Sequence, residues 1–281
     1  NEFSYAAHYA SSKYWGKQPF TAGPTYLGAV VVFFAILGIL LTSARNRWWI
    51  VVVSLLALLL AWGSNLMGFY ELTFDYLPGY SKFRTVSMAL VVIEWSAPLL
   101  AALALWELWR TERTLRQTVT RVAIAAGVVV AMVATMALVA DYGYADIEAS
   151  MGNTWWSERI SERICEARRA AFVADAWRTL LSTLLAGGAV VIFAWLRSRA
   201  NLSKQLLTAL PYALVGVVGV IMVSDLVGVN ERYLNDTKWA ETTPTDIRPI
   251  EADLEILEAM DTAALGFRVL DLSVGDAYQS A

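Results

Sequence analysis

Residues 48–62 read "WWIVVVSLLALLLAW": no charged side chain, and tryptophan at both ends. Apolar residues fall on every face of a helix here, so such a helix has no side to turn toward water. Tryptophan at either end fits a segment that crosses a bilayer, because the indole sits at headgroup level. The run extends over roughly 48–67, and five others resemble it, at about 24–42, 86–106, 122–140, 179–196 and 206–227. Each is near the ~20 residues a helix needs to cross the hydrocarbon core.

The whole chain agrees. It is 57% hydrophobic and 17% charged, with mean hydropathy +0.49, where soluble domains average about 45–50% apolar and about 25% charged. The expected fold is an all-α polytopic membrane protein with about six transmembrane helices. Net charge −3 makes nucleic acid an unsuitable partner. The single cysteine, Cys165, excludes a disulfide within the chain and any cysteine-based metal cluster, and the single histidine, His8, excludes a multi-histidine site. No metal or cofactor is expected.

Basic residues set the expected orientation. Arg45 and Arg47 follow the first segment, Arg110, Arg113, Arg116 and Arg121 follow the third, and Arg197, Arg199 and Lys204 follow the fifth. These short basic loops are assigned to the cytoplasm. The other side then receives 1–23, 68–85, an outer loop at 141–178, and 228–281. No basic stretch precedes an apolar run at Asn1, so the chain is expected to be an internal piece of a longer protein, with an odd number of spans upstream.

Within the outer loop, "SERISERICEARRAAFVADAWRTL" (157–180) reads either as an amphipathic helix lying on the leaflet or as a connecting helix. Beyond 228 the chain turns polar. An acidic helix at "IEADLEILEAM" (250–260) and an alternating strand at "GFRVLDLSV" (266–274) suggest the start of a soluble α/β domain.

No nucleotide-binding loop, nucleophile elbow or HExxH motif is present, which argues against an ATP-driven pump. In "YLPGYSKFRTVSMALVVIEW" (76–95), Lys82 and Arg84 stand at the start of a helix on the non-cytoplasmic side. A helix N-terminus disfavours cations. A phosphate held by both cations and the helix amides would compensate; so would an ordinary interfacial anchor role for the two side chains. Glu94 is an acid inside an apolar segment, either functional or a protonated packing group. Asp225 and Arg232 flank the outer end of the last segment. With Glu71 and Asp75 they form either a polar substrate site or a solvated rim.

Several blocks occur in a telling order: "EFSYA" (2–6), "YWGKQPFTAGPTYLGA" (14–29), "WGSNLMGFYELTFDYLPGYSKFRTVS" (62–87), "ARRAAFVADAWRTL" (167–180) and "DLVGVNERYLND" (225–236). With them the sequence resembles the YfhO family of bacterial membrane proteins, in its Bacteroidetes-type form. The resemblance implies a GT-C-like integral membrane glycosyltransferase. Such an enzyme takes a sugar from a polyprenyl-phosphate carrier and passes it to a cell-surface glycan or lipid outside the bacterial cytoplasmic membrane. The matching positions are Tyr80, Lys82, Phe83 and Arg84, then Asp225, Arg232 and Tyr233. Tyr80, Lys82, Arg84 and Arg232 are the expected phosphate- or substrate-binding residues. The resemblance places the general base in an outer loop upstream of Asn1, so this piece alone is expected to be inactive. Two other functions compete: a transporter or flippase for a lipid-linked saccharide that uses Glu94 for proton coupling, and a non-catalytic structural subunit.

Overall fold

A computed structural model describes residues 26–80, 86–110, 113–140, 142, 155–199 and 203–233. Among them all regular structure is helical: α1 (Ala29–Leu41), α2 (Ala44–Ala61), α3 (Met67–Tyr76), α4 (Val91–Arg110), α5 (Leu115–Val139), α6 (Trp155–Arg197) and α7 (Lys204–Tyr233). Short 3-10 helices, Gly63–Leu66 and Val86–Leu90, precede α3 and α4. Residues 1–233 and 234–281 are two separate compact units. The expected α/β domain at 228–281 falls outside the described residues except for 228–233, which are helical.

Four helical stretches are long and apolar enough to cross a membrane: Ser87–Arg110, Leu115–Val139, Cys165–Arg197 and Lys204–Glu231. The chain is thus a multi-pass membrane protein by the length and composition of its helices. Ala29–Leu41 and Arg47–Ala61 are shorter apolar helices.

The 13-residue helix α1 sits at the centre. Its residues are apolar all round, and Val30, Phe33, Phe34 and Leu37 are almost wholly enclosed. They pack on Ala104 and Leu108 of α4, Val122 and Ala125 of α5, Ala186 and Val190 of α6, and Leu214 and Val218 of α7. A helix with no polar face belongs inside a bundle. Alanines at 104, 125 and 186 let the surrounding backbones come close, which is how membrane helices gain packing without a hydrophobic drive. Gly38 is the extreme case, since a Cβ there would collide with the carbonyl oxygen of Leu100. Helix α2 packs on the other side of α4, where Ser54 and Ser96 share a 2.7 Å hydrogen bond.

Three boundaries differ from the sequence reading. Helix α1 begins at Ala29 rather than at Pro24, because Gly28 has φ 90°, outside the helical range. The expected outer-loop helix and fifth span are one continuous helix, α6. No Pro or Gly interrupts it before Gly187, and the run "CEARRAAFVADAWRTLL" is rich in good helix formers. At 1.5 Å per residue its 43 residues extend about 65 Å, roughly twice the hydrocarbon thickness. Helix α7 continues to Tyr233, past the expected end at 227.

Arginines gather at one end of the bundle and close helix C-termini there. Arg47 donates to the carbonyls of Ile39 and Thr42, and Arg113 to that of Leu41, all at the end of α1. Arg197 donates to Leu108 and Trp109 of α4, both at 2.9 Å. Cations at helix C-termini meet the negative end of the dipole. Exposed Trp48, Trp49, Trp106, Trp109 and Trp195 ring this end, and exposed Trp62, Trp95 and Trp177 the opposite one. Along α6, Trp177 and Trp195 are about 27 Å apart, close to the thickness of a hydrocarbon core. Exposed Leu181, Leu184, Leu185 and Ile192 lie between them, as lipid-facing residues should.

Candidate functional site

The N-terminus of a buried helix needs partners for its first amides. At α1 the partner comes from α7. Asp225 is 3% exposed, and its Oδ2 accepts the Ala29 amide at 2.7 Å. The turn that makes this possible requires Gly28: its positive φ suits glycine, and a Cβ there would stand 3.3 Å from Leu226 and 3.5 Å from Asp225 Oδ2. The hydroxyl of Tyr26 donates to the same carboxylate, 2.9 Å from Oδ1 and 3.0 Å from Oδ2.

Helix α6 supplies the opposite charge. Arg178 Nε lies 3.2 Å from Asp225 Oδ1, and its Nη1 lies 3.2 Å from Asp175, one turn earlier on the same helix. The guanidinium also covers the Tyr26 ring, 5.4 Å from its centroid, and its Nη2 approaches the Tyr26 hydroxyl at 3.5 Å. One cation thus meets two carboxylates, and the excess negative charge faces the positive end of the α1 dipole. The cluster joins α1, α6 and α7 at the end away from the arginine layer, and Arg178 directly follows the exposed Trp177. It therefore sits at the edge of the apolar layer rather than at its centre, where a charge is less costly.

The chemistry this permits is limited. Each oxygen of Asp225 already meets two partners, and the carboxylate is closed to solvent. A general base needs a lone pair within reach of its substrate. Asp225 in this arrangement is a positioning residue: it fixes three helices at one membrane face. Among the described residues no three His, Cys, Asp or Glu side chains converge as a metal site.

The other expected site residues are placed as follows. Tyr80 is buried, its hydroxyl donating to the Leu60 carbonyl at 3.1 Å and its ring meeting Tyr70 edge-on at 6.2 Å. A turn with Gly79 at φ 83° leads into it. Tyr80 thereby ties the "PGY" turn to the end of α2. Tyr80→Phe is expected to lower stability by about 1 kcal/mol, read as a small drop in the melting temperature of the purified protein. Lys82 and Arg84 lie outside the described residues. Glu94 is in the first turn of α4 and exposed, which suits the dipole there. The other end of α4, at Leu108 and Trp109, is the one Arg197 caps, so Glu94 lies at the end of α4 away from the arginine layer. Arg232 is in the last turn of α7. Among the expected residues whose side chains are described, the structure brings only Asp225 into the charged cluster.

Tyr26, Asp175 and Arg178 were not singled out in the sequence. The Asp175–Arg178 spacing of three along a helix was visible, but an i,i+3 pair is common on solvated faces. The cluster residues fall in three of the sequence blocks quoted above: Tyr26 in 14–29, Asp175 and Arg178 in 167–180, Asp225 in 225–236. Comparison with known protein families, characterised proteins and solved structures gives no match.

Proposed function

We propose that this chain is the membrane part of a glycosyltransferase of the YfhO type. It would take a sugar from a polyprenyl-phosphate carrier and pass it to a cell-surface glycan or lipid at the outer face of the bacterial cytoplasmic membrane. In this reading α1 and α2 are the first two of six crossings, the arginine-capped end is cytoplasmic, and 234–281 is extracytoplasmic.

One observation carries the proposal. Three sequence blocks behind the resemblance, 14–29, 167–180 and 225–236, meet in one ion-paired cluster at the face away from the arginine layer. A fourth block, 62–87, is tied to that same end by Tyr80, two residues before Lys82. A lipid-borne phosphate arrives at an interface, and arginine suits it through paired N–H donors. Cations held there stabilise the charge that develops on a leaving phosphate.

Arg84→Ala in the full-length protein is expected to lower sugar transfer about 10–100-fold, the loss of one charge-assisted contact to phosphate, with insertion and folding intact. Transfer from a polyprenyl-phosphate sugar, followed in membranes holding equal amounts of each protein, checks this. Wild-type rates in the variant would remove Arg84 from the site.

A further inference from the structure

The arginine-capped end holds a feature that the proposed transferase site does not use. A cavity of about 220 Å³ opens there between the start of α5 and the end of α6, lined by Arg113, Thr118, Arg197 and Ser198. A second cavity, of about 210 Å³, is bounded by Trp106, Trp109, Pro211, Leu214 and Val215. The two share the wall formed by Phe193, and the Arg197 guanidinium covers its ring at 6.0 Å. One chamber is cationic and hydroxyl-bearing, and its neighbour is apolar. We infer that the pair binds a single anionic phospholipid, with its phosphodiester between Arg113 and Arg197 and the first part of one acyl chain along the Trp106–Leu214 slot.

Charge is the first argument. Arg113 has Glu107 at 3.4 Å. Among the described residues no carboxylate comes within ion-pair distance of Arg197. Burial holds the Arg113 guanidinium below its usual pKa, repulsion from Arg121 adds to this, and Glu107 only partly offsets both. An anion in the cavity relieves that repulsion and meets both guanidinium groups. Basic pockets between membrane helices suit anionic headgroups.

The apolar slot is the second argument, and it selects a lipid over a free anion. A soluble phosphate has no use for a channel between two exposed tryptophans of the interfacial belt. A phospholipid places its headgroup and its chain in that order across that boundary. Thr118 and Ser198 also line the headgroup chamber, their hydroxyls donating to the Thr114 and Trp195 carbonyls.

The test uses the whole purified protein in nanodiscs of phosphatidylcholine with a minor fraction of phosphatidylglycerol of the same chains. Native mass spectrometry then counts the lipids retained on release. Wild type is expected to retain phosphatidylglycerol about tenfold above its share, the worth of one charge-assisted contact. Arg197→Gln should abolish the enrichment. Arg197 also closes the end of α4, so a second variant, Val215→Trp, decides should the first fail to fold. Val215 is exposed and lines the apolar slot but not the cationic chamber. Filling the slot should remove most of the enrichment with both arginines in place. The inference is overturned by equal retention of the two lipids in wild type. It is also overturned if Val215→Trp keeps the enrichment, or if millimolar inorganic phosphate alone occupies the site and strips the lipid.

Discussion

Asp225→Ala is expected to destabilise the protein by about 3–5 kcal/mol, the usual consequence of removing one partner from a buried ion pair. Three losses coincide. Arg178 keeps its charge beside Asp175 but loses the partner from α7. The Ala29 amide loses its 2.7 Å acceptor at the start of the enclosed helix. The Tyr26 hydroxyl loses both oxygens it donates to. Because these partners belong to α1 and α6, the variant should loosen the bundle at that face. Thermal unfolding in detergent reads the effect directly. Replacing Arg178 and Asp225 together by leucine should recover part of the loss, since the Arg178 charge, then held by Asp175 alone, is removed as well. An Asp225→Ala variant that unfolds with the wild type would mean that the cluster is ornamental to stability.

The second large effect is expected at Gly38. Alanine there directs its methyl group into the Leu100 carbonyl, which is main chain and cannot rotate away. Overpacking of this kind costs about 1–3 kcal/mol, and leucine should exceed alanine. The damage should appear as separation of α1 from α4, seen as lower melting and as faster hydrogen exchange at the end of α1. Gly127 on α5 is the control, because a Cβ there meets nothing within 4 Å. Gly127→Ala should be neutral or slightly stabilising, by up to about 1 kcal/mol from better helix propensity.

Much of the fold was legible because bilayer-crossing helices advertise themselves residue by residue. The run at 48–62 and the later spans needed only hydropathy and length. Helix α1 has no polar residue, unlike the longer helices around it, and this fits its central place. What hydropathy cannot tell is which helices close on it, because the close approach through Gly38, Ala104, Ala125 and Ala186 is a property of facing pairs rather than of single segments. The continuity of α6 was missed for a related reason. Its polar half and apolar half have different solvents but the same backbone, and a change of polarity marks a membrane boundary without breaking a helix.

The site was legible in part. Asp225 stood out as an acid at the end of an apolar segment, where a carboxylate invites an explanation. Its partners did not, because Tyr26 and Arg178 are 199 and 47 residues away in sequence and look like ordinary interfacial residues. A rule follows for chains of this type. An arginine directly after a belt tryptophan, such as Arg178 after Trp177, is worth pairing with every acid at the same membrane face.

The central proposal is that the face carrying Asp225, Arg178 and Tyr80 serves a lipid-linked sugar phosphate. Its most direct test is native mass spectrometry of the full-length protein, taken gently from its own membrane, as wild type and as Arg84→Ala. The account predicts a co-purifying polyprenyl phosphate, or its sugar adduct, on the wild type and its loss from the variant. Bulk phospholipid alone, equal on both proteins, would contradict it and leave Lys82 and Arg84 as interfacial anchors.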